Sequence, residues 1–144
     1  MITHVRHTGI VVENLKAALK FYQDVLGFQA VKTMEENGPF IEAALGLKGV
    51  NLTTVKMRAP DGSMIELLCF KTHPDNSKGP ERKIYERGIS HIALTVDDLD
   101  ADYLRLLNAG ANFISPPQTN LEGTVKIAFC RDPHGNILEL VQTL

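Results

Sequence analysis

Four residues in this chain have the types and the spacing to act together: His7, Glu66, His91 and Glu139. Each histidine opens a related stretch, HTGIVVENL and HIALTVDDL, and the two align without a gap at an offset of 84. Each glutamate closes a related hairpin, APDGSMIELL and RDPHGNILEL, at an offset of 73. Two carboxylates brought together without a cation are costly, and a divalent ion removes that cost. Two imidazoles and two carboxylates form an N₂O₂ donor set suited to one ion of zinc, nickel, cobalt, manganese or iron. Coordination positions remain free for water or substrate. A lone strand histidine is ordinarily a core or surface residue, and a lone glutamate ordinarily faces solvent. Four such residues at repeat-equivalent positions make a metal site the stronger reading.

The elements that must position these residues follow from the repeat. Val5–Val12 alternates as a strand, Asn14 can cap a helix over about 15–26, and Gly27 stops it. Strands follow at about 28–36, 40–47, 50–58 and 64–70, the last after the turn Pro60-Asp61-Gly62. The second copy has a strand at 89–96, a helix from Asp98 to Asn108 and strands at 111–115, 124–131 and 136–142, with a loop at 116–123. The fold class is α+β, with two tandem βαβββ modules forming an eight-stranded half-open barrel or cleft, helices outside. Module one covers 1–72, a polar connection with one short helix at 80–87 covers 73–87, and module two covers 88–144. Strand side chains alternate faces. Ile10, Val12, Ile65, Leu67, Ile92, Leu94, Leu138 and Leu140 form the aliphatic face under the helices. His7, Glu66, His91 and Glu139 fall on the other face, in the cleft.

Composition excludes several classes. At 144 residues, 44% hydrophobic and 22% charged, with a net charge of −2, the chain has the balance of one globular domain. The basic residues are scattered, so nothing attracts nucleic acid, and no run of eighteen apolar residues offers a membrane span. No secretory leader is visible, and a cytoplasmic location is expected. Cys69 and Cys130 read as small core residues. His4 has the wrong parity for the cleft, His73 lies in the connection and His134 in a turn. No P-loop, GxGxxG or Ser–His–Asp order is present.

The segments HTGIVVENLKAALKFYQDVLGF, HIALTVDDLDA and DPHGNILEL resemble the vicinal oxygen chelate family, over nearly the whole chain. The resemblance implies paired βαβββ modules around a divalent metal, with ligands at His7, Glu66, His91 and Glu139. It also implies a small-molecule substrate and a homodimer, whose sites some members build from two chains. Glyoxalase I and methylmalonyl-CoA epimerase are the nearest members. Glyoxalase I matches all four ligands, but Val11 and Phe70 stand where it usually places glutathione-binding Arg and Asn. The epimerase usually has Gln at the position of Glu66, whereas KFYQDVLGF is similar to it. The reading is a metal-dependent lyase or isomerase of the glyoxalase I type, removing a proton beside a metal-bound carbonyl through an enediolate or enolate. The alternatives are an acyl-CoA epimerase and a non-catalytic, antibiotic-sequestering type of binder. Glu139 is expected to be the main base and Glu66 its counterpart, with Glu42 a weaker third candidate. Val11 and Phe70, with Leu68 and Val141, are expected to line the substrate site. Lys56, Lys71, Lys78 and Lys126 are the available cations.

Overall fold

The computed structural model describes residues 1–75 and 81–144. It comprises two compact units, Met1–Ser77 and Lys78–Leu144, each with its own sheet. The first unit runs β-α-β-α-β-β and the second β-α-β-β-β-β.

In the first unit, β1 (Thr8–Val11) leads into α1 (Leu15–Leu19), which continues as a wider π-wound segment (Lys20–Val25). The Asn14 side chain accepts from the Ala17 N–H at 3.0 Å and starts the helix, as its position before the apolar periodicity implied. Next come β2 (Gln29–Asn37), α2 (Pro39–Leu45), β3 (Asn51–Arg58) and β4 (Met64–Phe70). The sheet order is β1-β4-β3-β2, with β1 parallel to β4 and the other pairs antiparallel. Ile10, Val12, Val55, Met57, Ile65 and Leu67 form its buried face, together with Ala18, Phe21 and Tyr22 of the helical segment.

The segment at 40–47 is a helix, not the expected strand. Pro39 occupies its first turn, where a missing N–H costs nothing. Glu42-Ala43-Ala44-Leu45 are strong helix formers, and Gly46 closes it in the left-handed conformation. Local propensity prevails here because α2 buries no side chain that would demand strand alternation.

In the second unit, β5 (Ile92–Thr95) is followed by α3 (Leu99–Asn108), β6 (Asn112–Phe113), β7 (Gln118–Thr119), β8 (Val125–Arg131) and β9 (Ile137–Thr143). The order is β5-β9-β8-β6, with β7 also on β8 and β5 parallel to β9. Asp98 caps α3, its carboxylate accepting from the Ala101 N–H at 3.0 Å. Leu99 and Leu106 of α3, with Ala128, Cys130, Leu138 and Leu140, make the core. Part of the expected 116–123 loop pairs as β7, so the edge that is unbroken in the first unit is split here. Pro116 and Pro117 lie in the gap and cannot donate to a ladder. Nine strands, not eight, therefore occur among the described residues.

Both opening strands are shorter than expected: 5–7 and 89–91 lie outside β1 and β5. The helix expected at 80–87 is absent from 81–87, and Pro80 lies outside the described residues. The Arg82 guanidinium donates to the carbonyls of Glu86, Arg87 and Ile89, which organises the segment as turns. The nearly buried Arg131 ties it to the sheet, donating to Arg82 O at 2.9 Å and pairing with Glu81 at 3.2 Å.

Candidate metal centre

In the first unit His7 immediately precedes β1, and Glu66 sits on β4 directly beside Gly9 of β1. The parallel pairing carries the histidine ring to the carboxylate, with Nε2 of His7 3.2 Å from Oε2 of Glu66. The imidazole is 31% exposed and the carboxylate 12%. Glu66 also faces Lys56 across the β3–β4 ladder, and the Lys56 Nζ lies 3.9 Å from its other oxygen, Oε1.

The second unit repeats the contact. His91 precedes β5, Glu139 lies on β9 beside Ala93, and Nε2 of His91 is 3.2 Å from Oε2 of Glu139. Here the ring is positioned further: its Nδ1 is 2.8 Å from the Ser90 hydroxyl. Its edge-to-face neighbour is Phe129, at 5.3 Å between centroids. Phe129 is also the residue that faces Glu139 across the β8–β9 ladder. It thus occupies the place that Lys56 holds in the first unit. The sequence marks Lys56 only as an available cation and does not single out Ser90 or Phe129, although 56 and 129 share the 73-residue offset of the two glutamates.

The structure brings the four expected ligands together as two pairs. Among the described residues it gathers no group of three or more His, Cys, Asp or Glu at metal-binding distance. The pairs nonetheless fit a divalent ion. Donors that each lie about 2.0–2.2 Å from one ion are roughly 3–3.5 Å from each other in tetrahedral or octahedral geometry. The 3.2 Å separations match that span. Each pair also combines an imidazole nitrogen with a carboxylate oxygen, a set acceptable to the transition metals named above.

Val11 and Phe70 lie on the same sheet face as Glu66, since Val11 pairs with Leu68, and Leu68 and Phe70 are two and four residues along β4. Val11 is more than half exposed. Glu42, on α2, accepts from the Gly49 N–H at 3.0 Å and secures the loop after the helix. His4 contacts Thr3, and His73 contacts Thr72. Of the four candidate lysines, Lys71 is paired with Glu35, Lys126 with Asp100, and Lys78 lies outside the described residues. The Lys71 and Thr53 hydrogen bonds hold the Glu35 carboxyl below its ordinary range. Burial, with Asp132 nearby, pushes the Cys130 thiol up to about 11.

Residues 4–140 match the family described as the Glyoxalase/Bleomycin resistance protein/Dioxygenase superfamily. A Synechocystis sp. protein named "Probable lactoylglutathione lyase" is 31% identical over 137 residues, covering 95% of this chain and 93% of that protein. The crystal structure of a glyoxalase family protein from Bacillus cereus superposes with a TM-score of 0.90 at 25% identity, over 100% of this chain and 96% of its own. A fosfomycin resistance protein from Listeria monocytogenes, in complex with Mn(II) and sulfate, shares the fold. Its TM-score is 0.65 at 15% identity, over 100% of this chain and 95% of that one. The chain belongs to the Glyoxalase/Bleomycin resistance protein/Dioxygenase superfamily.

Proposed function

We propose that the chain is a divalent-metal-dependent lyase or isomerase of the glyoxalase I type, with His7, Glu66, His91 and Glu139 holding one ion. The observation that carries this is the pair of His–Glu contacts at repeat-equivalent positions, each 3.2 Å between Nε2 and Oε2. The name of the Synechocystis relative and the manganese in the Listeria fold neighbour support the class.

A divalent ion there supplies Lewis acidity, which makes a C–H beside a carbonyl easier to deprotonate. The chain supplies the rest. Glu139 takes the proton from the carbon next to the carbonyl and returns it to the neighbouring carbon, converting a hemithioacetal of a 2-oxoaldehyde into a 2-hydroxyacyl thioester. No proton or electron is gained or lost overall. Glu66 is the counterpart carboxylate, set apart from Glu139 by the lysine beside it. Ser90 and Phe129 hold the His91 ring in its orientation. Val11 and Phe70 offer the substrate an apolar lining. The active form is a homodimer.

Elemental analysis of protein purified without chelator is expected to give about one divalent ion per chain, lost in His91→Ala. The metal-loaded protein is expected to turn over methylglyoxal–thiol hemithioacetals in D₂O. Solvent deuterium exchange into acyl-CoA thioesters without hemithioacetal turnover would move the reading to an epimerase. No metal uptake, even on addition, would leave a non-catalytic binder.

A further inference from the structure

The row of side chains that crosses the first sheet through Glu66 carries a charge pattern that its counterpart lacks. Register places Lys32 of β2 opposite Lys56 of β3, and Lys56 opposite Glu66 of β4. Directly opposed residues of antiparallel strands project from the same face, so the three stand in line on the face that carries the candidate ligands. Like charges directly opposite one another destabilise a sheet. On β3 the face that carries Lys56 also carries the buried Leu52 and Thr54, whereas Val55 and Met57 point the other way.

Lys56 is 33% exposed, and its ammonium is 3.9 Å from Glu66, too far for a good hydrogen bond. Among the described residues Glu66 is its one carboxylate partner, and Lys32 has none within ion-pair distance. Lys71 and Lys126 are each satisfied by a carboxylate, and Lys32 and Lys56 are not. The corresponding row of the second unit runs through Phe129, Glu139 and Ala93 and holds no basic side chain. The cationic character belongs to one half of the repeat only.

Once Glu66 is committed to a cation, Lys56 loses its counter-charge, and an anion from outside can take its place. We propose that Lys56, with Lys32 beside it, is an anion-recognising subsite. The substrate then carries a carboxylate or phosphate group, separate from its reacting carbonyl, that docks on β3 of the first unit. In its substrate assignment this rests on the glyoxalase-type reading, but the subsite itself is testable without metal or turnover.

The full-length chain is stripped with chelator, and anion binding is measured by calorimetry for wild type, Glu66→Gln, Glu66→Gln with Lys56→Met, and Glu66→Gln with Lys32→Met. The probes are succinate and inorganic phosphate, with succinamide as the neutral control. Removing the glutamate charge is expected to tighten anion binding by roughly tenfold over wild type, as one released charge-assisted contact allows. Lys56→Met is expected to abolish that gain, Lys32→Met to reduce it, and succinamide to show none. Tighter succinate than phosphate binding would identify a carboxylate, and the reverse a phosphate. Equal anion affinity with and without Lys56, or no gain in Glu66→Gln, would overturn the subsite. Circular dichroism on each variant excludes misfolding as the cause. Failure of wild type to take up metal would sink the metalloenzyme reading alone, so the two failures are distinguishable.

Discussion

At the scale of single residues, the two His–Glu pairs are alike in distance and unlike in company. Glu66 has an ammonium beside it, whereas Glu139 has a phenyl ring and a histidine held by Ser90. Among the described residues, Glu139 has no ammonium within ion-pair distance. Glu139→Gln keeps an oxygen ligand and loses the base. Hemithioacetal turnover is expected to fall by about 10²–10⁴-fold while most of the metal stays bound. Unchanged turnover in a metal-replete variant would remove Glu139 from this role. The cysteines give an independent check on packing. With its thiol pushed up to about 11 by burial, Cys130 holds little thiolate at pH 8. Iodoacetamide mapping of the native protein is expected to label Cys69 before Cys130, and denaturant to abolish the difference.

At the scale of elements, repetition extends to the small devices that start and end helices and strands. Asn14 and Asp98, 84 residues apart like the two histidines, cap α1 and α3 through the same contact, an oxygen accepting from the N–H three residues on. Asn14→Ala and Asp98→Ala are each expected to cost about 1 kcal/mol in urea unfolding. The hairpins also repeat, with a difference. Gly62 and Gly135 both take the left-handed conformation that the turn requires. In the first hairpin Asp61 accepts from the Ser63 N–H. In the second, Asp132, before the proline, accepts from the N–H groups of His134 and Asn136. His7 and His91 stand just outside β1 and β5, so their rings reach the carboxylates from positions not locked by ladder hydrogen bonds on both sides.

At the scale of the whole molecule, each of the two units carries one His–Glu contact of 3.2 Å. No helix among the described residues is long and apolar enough to cross a membrane. A homodimer is expected, with a solution mass by light scattering of twice the 15.9 kDa chain. A stable monomer that kept its metal and activity would remove the dimer from the proposal.

How much was legible beforehand differs by kind of feature. The repeat, the two-residue strand period and the hairpin turns were readable because they depend on local spacing. Strand parity was enough to set Ile10, Val12, Leu67, Leu138 and Leu140 in the core; that His7 meets Glu66 and His91 meets Glu139 came from the parallel pairings of β1 with β4 and β5 with β9. Residues 39–45 form a helix on local signals, from Pro39 in the first turn to Gly46 at the end, which the strand expected there overlooked. Two features depended on tertiary structure. The edge of the second sheet is split, because the pairing of β6 and β7 with β8 is a long-range event around two prolines. Lys56 and Phe129 became site residues only through cross-strand register, which brings together residues ten positions apart across a turn. Sequence alone determined which side chains are chemically competent and which face each one takes. The fold decided which neighbour each one meets, because register and backbone pairing are properties of two segments at once and cannot be read from either alone.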